Sequence, residues 1–250
     1  MVTTAAPCLH HDRQCFEDCR WVVFDAVGTL ITPKPSVSVA YHTIGQRYGS
    51  RLELTEVSDR FRAAFRRSEL NQFPGAPIDR FATNDAVEEA RWRWIVNEVL
   101  ADTDDPESCF QDLWTHFAVP TSWECYEDTE TALNRLSEAG YRLAMASNFD
   151  GRLHSVCEGL PQLQPMGHRI VSAAVEYRKP APAFYRAVTE ICQCQPHQIL
   201  MVGDDLEHDV LAPRQAGFCA VHLDRKGTSD GHAIASLNEL TDLLLAGRST

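Results

Sequence analysis

The sequence predicts an α/β protein, with a doubly wound parallel sheet and a helical domain inserted after its first strand. Five short apolar segments are spread along the chain, and helix-like stretches lie between the last four of them. Alternation of strands and helices favours a parallel sheet with helices on both faces. The long stretch between the first two strands has helical periodicity instead, which indicates an inserted domain.

The predicted strands are rich in Val, Ile, Leu, Met or Ala, and each ends at turn residues or polar groups. Near-continuous apolar runs are typical of parallel strands that are covered on both faces. The strands cover residues 21–28, 141–148, 169–176, 198–205 and 218–224. The helices predicted around the later strands cover residues 130–139, 181–192, 206–216 and 234–246. Gly140 and Gly217 follow two of these helices, at the place where a left-handed residue ends many helices.

The inserted region has its own helical pattern, which Pro33 and Pro35 introduce. Its loops should lie at the carboxyl edge of the sheet, where open α/β sheets bind ligands. The helical stretches cover residues 37–48, 55–70, 85–100 and 106–117. We therefore expect an N-terminal tail (residues 1–20), an α/β domain (residues 21–32 and 123–250) and a helical domain (residues 33–122).

Composition and charge exclude several classes of protein. With 44% hydrophobic and 23% charged residues, the chain is neither disordered nor of low complexity. Lys and Arg number 23 against 35 Asp and Glu, so the net charge of −12 disfavours nucleic-acid and anionic membrane partners. The cysteine count of 9 is odd, and the first residues lack the pattern of a signal peptide. We expect a cytoplasmic protein that is not membrane-bound, and its oligomeric state stays open.

Four sequence motifs place reactive side chains at or near the ends of predicted strands. Carboxylate and carbonyl oxygens suit a hard cation such as Mg²⁺, which commonly meets a substrate phosphate. Phosphoryl transfer needs an in-line nucleophile, a cation and donors for the equatorial oxygens. The side chains are Asp25, then Ser147 and Asn148, then Lys179, and finally Asp204, Asp205 and Asp209.

In the order and placement of these motifs, the sequence resembles the haloacid dehalogenase superfamily, whose members are mostly phosphohydrolases. The stretch around Lys179 and Pro180 and the acidic stretch from Gly203 to Asp209 are especially similar. The inserted helices resemble the family's helical cap, and the resemblance implies a Rossmann-like core. The motifs span residues 21–31, 141–150, 175–186 and 198–217.

The resemblance also implies roles for individual residues. Asp25 would be the nucleophile and would form an aspartyl-phosphate. Asp25 and Asp204 would hold Mg²⁺ together with the main-chain carbonyl of Val27. Asp205 stands where family members often have Ser, so its role is open.

For the substrate, the resemblance implies contacts from three further residues. Ser147 and Asn148 would bind the transferring group, and Lys179 would neutralise its charge. Asp209 would orient Lys179 or a metal-bound water. The expected partner is therefore a small anionic substrate.

Val27 departs from the family pattern. Most phosphatases of the family carry a second Asp at this position, which protonates the leaving group and then activates water. Such acid–base help is typically worth about 10²–10⁴-fold. We therefore expect a Mg²⁺-dependent phosphatase on a small phosphorylated metabolite, with weakened turnover. His42, early in the helical region, is a candidate substitute acid.

Three alternatives remain open because of Val27. Haloacid dehalogenases displace halide without a metal, but the carboxylates of the fourth motif would then repel one another and the substrate. Phosphonate hydrolases use a lysine of the cap to form a Schiff base, for which Lys34 is the candidate. A catalytically idle binding or regulatory protein is the third alternative, although Asp25, Lys179 and Asp204 are retained.

Two further clusters have alternative interpretations. The arginines of the second predicted helix of the insertion form a solvated face or, alternatively, attract an anionic substrate into the cleft. The Cys and His residues near the N-terminus fit no compact zinc pattern. The arginines are Arg60, Arg62, Arg66 and Arg67, and the N-terminal group is Cys8, His10, His11, Cys15 and Cys19.

Overall fold

The computed structural model describes residues 16–228 and 233–246. Its main sheet has five parallel strands in the order β5–β4–β1–β6–β7 within this described chain. The two remaining strands, β2 and β3, pair antiparallel with each other. The strands are β1 (Trp21–Phe24), β2 (Ile31–Pro33), β3 (Trp123–Cys125), β4 (Arg142–Ser147), β5 (His168–Val171), β6 (Ile199–Gly203) and β7 (Cys219–His222). The predicted fold class is confirmed, and all five predicted strands are present but shorter than expected.

Helices cover both faces of the sheet and fill the insertion. The predicted helices are all present, although the one expected over residues 206–216 begins as a π-helix, Leu206–Leu211. The helices are α1 (Val37–Arg47), α2 (Leu54–Glu69), α3 (Asp85–Val99), α4 (Pro106–His116), α5 (Thr129–Glu138), α6 (Arg152–Glu158), α7 (Pro182–Cys192), α8 (Ala212–Gln215) and α9 (Leu237–Ala246). The sequence analysis did not predict helix α6, because its seven residues are too few to show helical periodicity.

The central strand β1 contributes to two hydrophobic clusters, one on each face of the sheet. Val22 and Phe24 pack on the face covered by α5, α6 and α9. Trp21 and Val23 pack on the opposite face, covered by α7 and the chain that leads into α8. Successive side chains of a strand point to opposite faces, so four apolar residues in a row fill both clusters. This double burial explains why the strand shows no polar alternation.

The four helices of the insertion share a separate hydrophobic cluster. Tyr41 of α1, Val57 of α2, Ile95 of α3 and Leu113 of α4 are all buried in it. The short β2–β3 pair lies where the chain leaves the α/β part and returns to it. The sequence prediction lacked this pair, since two three-residue strands carry little pattern. The paired strands hold the two crossing segments side by side at the base of the insertion.

The structure bears on two sequence expectations, one about the N-terminal tail and its Cys and His residues and one about membrane-spanning helices. Of the N-terminal group, Cys19 lies in the described chain and is buried, whereas Cys8, His10, His11 and Cys15 lie outside the described residues. The main-chain N–H of Arg20 donates to the Gln198 carbonyl at 2.8 Å, so the sheet contacts begin inside the predicted tail. In the part of the chain that the structure describes, no helix has the length and apolar character needed to cross a membrane.

Candidate active site

The carboxyl ends of the central strands bring Asp25, Lys179 and Asp209 into direct contact. Lys179 Nζ donates to Asp25 Oδ1 at 2.8 Å and to Asp209 Oδ1 at 2.6 Å. Burial by itself lowers the pKa of a lysine, but here the two carboxylates outweigh it and hold the pKa of Lys179 above its ordinary value. Lys179 is therefore a permanent cation between the two acids.

Asp204 adds a third carboxylate to this group. One oxygen from each of Asp25, Asp204 and Asp209 lies within 4.8 Å of the others. In the described chain no lysine or arginine forms an ion pair with Asp204, whose Oδ1 accepts a hydrogen bond from Thr29 Oγ1 at 3.4 Å. Desolvation in the cleft, together with the negative charge of Asp25, raises the pKa of Asp204 to about 6. Three carboxylates thus face one lysine, and two negative charges remain uncompensated.

This donor set fits a hard divalent cation. Asp25 Oδ2 accepts no hydrogen bond from the described protein, and neither does the main-chain carbonyl of Val27. Together with Asp204 they offer oxygen atoms of the kind that Mg²⁺ prefers. A charge of two would cancel the excess negative charge of the cluster. The residues predicted to hold the metal therefore match its chemistry.

Two glycines make room for the carboxylates. A Cβ atom at Gly28, whose φ is +92°, would lie 2.3 Å from Asp204 Oδ2. A Cβ atom at Gly203 would lie 2.1 Å from Asp209 Oδ2. Both distances are far below contact distance, so the close approach of backbone and carboxylate requires glycine at each position.

Ser147 and Asn148, at the end of β4, have different surroundings. Ser147 is buried and lines the cavity, and its hydroxyl has no hydrogen-bond partner in the described chain. The Asn148 amide instead contacts the main chain of Lys179: Oδ1 accepts from the N–H at 2.7 Å, and Nδ2 donates to the carbonyl at 3.1 Å. In this arrangement Asn148 positions Lys179, while the predicted contact with a transferring group stays a prediction that the free Ser147 hydroxyl supports.

Asp205, whose role was open, accepts hydrogen bonds at the start of the π-helix. Its Oδ1 accepts from the main-chain N–H groups of Glu207 at 3.0 Å and His208 at 2.9 Å. The contact with the His208 side chain, whose Nδ1 lies 3.3 Å from Asp205 Oδ2, holds the pKa of Asp205 below its ordinary value. Asp205 N–H donates to Asp209 Oδ2 at 3.2 Å. Asp205 therefore fixes the loop that carries Asp204 and Asp209.

A cavity of about 680 Å³ opens over these residues, between the α/β part and the insertion. The cavity wall away from the carboxylates is rich in aromatic side chains, and the sequence analysis did not predict this. The aromatic lining residues are Phe61, Phe65, Phe81, Trp92, Phe117, Trp123 and Phe149. The Val27 side chain also lines the cavity, so an apolar group occupies the place expected for the acid.

Helix α2 shows which of the two interpretations of its arginines holds. Phe61, Phe65 and Glu69 recur every four residues and line the cavity. The arginines predicted as a solvated face, Arg60, Arg62, Arg66 and Arg67, do not line it. Three of them pair with acids of the helical region instead. The solvated interpretation is therefore confirmed.

Two candidate residues from the sequence lie away from the cavity. Lys34 forms an exposed ion pair with Glu124 at 2.5 Å and does not line the cavity. The ring of His42 contacts Gln46 at 3.2 Å and is also absent from the lining. The structure gives no support to Lys34 as a Schiff-base lysine or to His42 as a substitute acid.

Four arginines of the cavity wall went unrecognised in the sequence. Arg80, Arg91, Arg152 and Arg178 all line the cavity. Arg178 belongs to the same sequence motif as Lys179, but no local sequence pattern indicates that its Nη2 donates to Glu69 Oε1 of α2 at 2.5 Å. The other three lie in segments without a recognisable motif, so their place in the cleft depends on packing alone.

Comparisons with known proteins agree with this arrangement. A family model described as "haloacid dehalogenase-like hydrolase" matches residues 19–217. A Danio rerio protein named "Haloacid dehalogenase-like hydrolase domain-containing protein 3" is 26% identical over 238 residues, covering 88% of this chain and 94% of the relative. The Homo sapiens protein of the same name is 26% identical over 204 residues, covering 80% and 79%.

Solved structures share the fold. The L-2-haloacid dehalogenase of Xanthobacter autotrophicus superimposes with a TM-score of 0.70 at 19% identity, covering 91% of this chain and 98% of that one. A HAD phosphatase of Thermococcus onnurineus gives a TM-score of 0.63 at 22% identity, covering 90% and 97%. Since one neighbour is a dehalogenase and the other a phosphatase, the likeness defines the fold and leaves the reaction open.

Proposed function

Because the chain belongs to the haloacid dehalogenase-like hydrolase family, we propose that it is a Mg²⁺-dependent phosphatase acting on a small phosphorylated metabolite. Asp25 would attack the phosphorus atom and form an aspartyl-phosphate. The observation that carries the proposal is the uncompensated charge of the carboxylate cluster, in which Lys179 is the only lysine or arginine of the described residues that pairs with Asp25, Asp204 or Asp209. A reaction that uses a divalent cation accounts for this excess of negative charge.

The contacts of Asp25 suit it to the role of nucleophile. Lys179 donates to Oδ1 and so holds the Asp25 carboxylate at the cavity, where a substrate can reach it. The free Ser147 hydroxyl and the Lys179 ammonium are the groups available to the equatorial phosphoryl oxygens. Asp209, 1% exposed, keeps Lys179 charged and in place. A bound Mg²⁺ would neutralise charge on the transferring group.

The leaving group receives no proton from Val27. When the bond from Asp25 to phosphorus forms and the ester bond breaks, the departing oxygen must take its proton from water. A second water then hydrolyses the aspartyl-phosphate without a general base at this position. Turnover should therefore be slow, and it should be fastest for esters whose alcohol is acidic.

The test is hydrolysis of para-nitrophenyl phosphate with and without Mg²⁺, by the wild type and by Asp25→Asn. Its leaving group departs with little acid help, so the missing acid matters least for this compound. We expect Mg²⁺-dependent release of nitrophenol by the wild type and none above background by Asp25→Asn. Activity that survives in Asp25→Asn would show that Asp25 is not the nucleophile.

The apolar Val27 also favours a second candidate, a dehalogenase-type displacement at Asp25. Its test is halide release from a 2-haloacid in the presence of a metal chelator. Release under those conditions, without phosphatase activity, would replace our proposal. Binding of Mg²⁺ with no turnover of either compound would indicate a catalytically idle binding protein.

The proposal includes a cytoplasmic location and a small anionic substrate. The cleft of about 680 Å³ between two parts of the chain supports a small-molecule substrate, because clefts of this size bury most of a small ligand's surface.

A further inference from the structure

The wall of the cleft contains a buried arginine whose hydrogen-bonding capacity is only partly used. Arg178 is 7% exposed and lines the cavity. Its Nη2 donates to Glu69 Oε1 at 2.5 Å, whereas Nε and Nη1 have no hydrogen-bond partner in the described chain. A guanidinium carries five N–H donors and binds anions best through two parallel hydrogen bonds. Arg178 therefore retains the capacity to bind a further anion.

The carboxylate that Arg178 contacts is shared with another arginine. Glu69 also accepts a hydrogen bond from Arg91. Each guanidinium nitrogen of Arg91 donates a hydrogen bond, because its Nη1 also donates to Glu88 at 3.1 Å and its Nε to Ser68 at 3.0 Å. Glu69 alone does not saturate Arg178, so the remaining donors are directed to the cavity or to its solvent.

Arg152, which lines the same cavity, has a protein partner for each of its three guanidinium nitrogens. Its Nε and Nη2 both donate to Asp150, each at 2.7 Å, and its Nη1 donates to the Trp114 carbonyl at 3.3 Å. The guanidinium also stacks over the Trp114 ring at 3.4 Å. Arg152 is thus held by the protein, and the comparison singles out Arg178.

Arg80 supplies a second cation in the lining of the same cavity. Its guanidinium carbon lies 4.3 Å from the centre of the Phe81 ring, and the Phe81 carbonyl accepts a hydrogen bond from Arg178 N–H at 2.9 Å. Arg80 is exposed, lines the cavity and forms no ion pair with an acid of the described chain. The main-chain hydrogen bond from Arg178 to Phe81 therefore links the segments that carry the two incompletely paired arginines.

We propose that Arg178 and Arg80 form a second anion-binding subsite, so that the substrate is a phosphorylated compound with an additional anionic group such as a carboxylate. Arg178 and Arg80 line the same cavity as Lys179, so one small molecule can contact the arginines and the proposed phosphoryl-binding group together. A short carbon chain between the two anionic groups is the simplest connection within a cavity of about 680 Å³. This inference rests on the proposed function for the phosphoryl end of the substrate, but it predicts binding that needs no turnover.

The test is calorimetric binding of matched phosphonates to the full chain in the presence of Mg²⁺. Phosphonoacetate and its one-carbon-longer homologue phosphonopropionate are compared with ethylphosphonate and propylphosphonate, which have methyl in place of the carboxylate. We expect the wild type to bind at least one carboxylate compound about tenfold or more tightly than its methyl partner, as charged hydrogen bonds imply. Arg178→Lys and Arg80→Ala should each reduce this ratio, and Arg178→Lys should reduce it more.

The matched control is Arg62→Ala, which removes an exposed arginine that pairs with Asp59 and does not line the cavity. It should keep the wild-type ratio. A ratio near one in the wild type, or a ratio unchanged in both Arg178→Lys and Arg80→Ala, overturns the subsite. Arg80 is exposed, so Arg80→Ala keeps the test decisive if Arg178→Lys fails to fold. Loss of para-nitrophenyl phosphate hydrolysis with the ratio retained would instead overturn the phosphatase and leave the subsite standing.

Discussion

The floor of the cleft carries acids, a lysine and other polar side chains that follow strands of the main sheet, whereas its wall carries aromatic and arginine side chains that come mainly from the insertion and the loops facing it. On the floor, Asp25 directly follows β1, and Asp209 lies in the π-helix that follows β6. On the wall, Phe61, Phe65 and Trp92 come from two helices that pack in a separate hydrophobic cluster. The same cavity thus joins a part defined by local chain geometry to a part defined by helix packing.

This difference separates the proposed chemistry from the selection of the substrate. The floor is held by the β-ladder and by backbone contacts such as those of Asn148 with Lys179, so its positions tolerate little displacement. The wall depends on how the insertion packs on itself and on the contact of Glu69 with Arg178. Changes in the insertion should therefore alter which compound binds, and changes at the strand ends should alter whether it reacts.

The largest expected effects test whether the two regions have independent cores. Leu113→Ala in α4 and Leu136→Ala in α5 each remove a fully buried leucine, one from each region. Each should lower the free energy of unfolding by about 2–5 kcal/mol. Hydrogen exchange resolved by peptide should show Leu113→Ala loosening residues 37–116 while β1 and β6 stay protected. Equal loosening of β6 by Leu113→Ala would mean that the regions unfold as one unit.

Next in size is the effect of Gly28→Ala on the floor. The added Cβ would lie 2.3 Å from Asp204 Oδ2 and must displace that carboxylate. Displacement of a catalytic group by about 1 Å costs on the order of 10²-fold in rate. We expect such a loss of Mg²⁺-dependent hydrolysis, together with a higher Mg²⁺ requirement.

The control is Gly75→Ala in the insertion. Gly75 also has a positive φ, +78°, but a Cβ there meets nothing within 4 Å. Gly75→Ala should therefore have the same kind of backbone strain as Gly28→Ala and a similar small drop in melting temperature, but it should keep the wild-type catalytic rate. If both variants lose activity equally, strain alone explains the loss and the contact with Asp204 is unimportant.

A smaller change should follow from restoring an acid to the floor. Val27→Asp should raise turnover of alkyl phosphates by about tenfold, below the usual range for general acid–base catalysis because the surroundings are apolar. The rise should be smaller for para-nitrophenyl phosphate, whose leaving group needs less help. Asn has nearly the same shape as Asp but has no acidic proton to transfer to the leaving group, so Val27→Asn should bring no gain. A gain with Asn equal to that with Asp would contradict the acid–base explanation.

The smallest effect concerns the start of α3 in the wall. Asn84 Oδ1 accepts a hydrogen bond from the main-chain N–H of Val87 at 2.9 Å and so caps the helix. Asn84→Ala should lower the free energy of unfolding by about 1 kcal/mol. Asn97→Ala, an exposed position inside the same helix, is the matched control and should leave stability nearly unchanged. Urea titration measures both, and equal losses would show that the cap is not responsible.

Much of the floor follows from local sequence patterns. An apolar strand that ends in Asp25, or in Ser147, places a polar group at the carboxyl edge wherever the strand sits in a parallel sheet. Gly28 and Gly203 complete the same local geometry. The short pair β2–β3 and helix α6 escaped prediction because three to seven residues carry too little periodicity.

The wall could not be predicted in the same way. The sequence shows α2 as a helix rich in arginines, but which side faces the cleft depends on its contacts with α1 and α3. The cleft side turned out to carry Phe61, Phe65 and Glu69. Likewise, the pairing of Glu69 with Arg178 joins residues 109 positions apart in the chain.

The sequence by itself determined the parallel α/β fold, the family and the set of acids, amides and lysine at the strand ends. These follow from short-range rules: strand periodicity, turn residues and the fixed edge at which parallel strands end. Only the tertiary structure decided the uncompensated charge at Asp204, the positioning role of Asn148 and the incompletely paired Arg178. Each of these depends on distances between segments far apart in the chain, which the packing of helices against the sheet sets and no local pattern encodes.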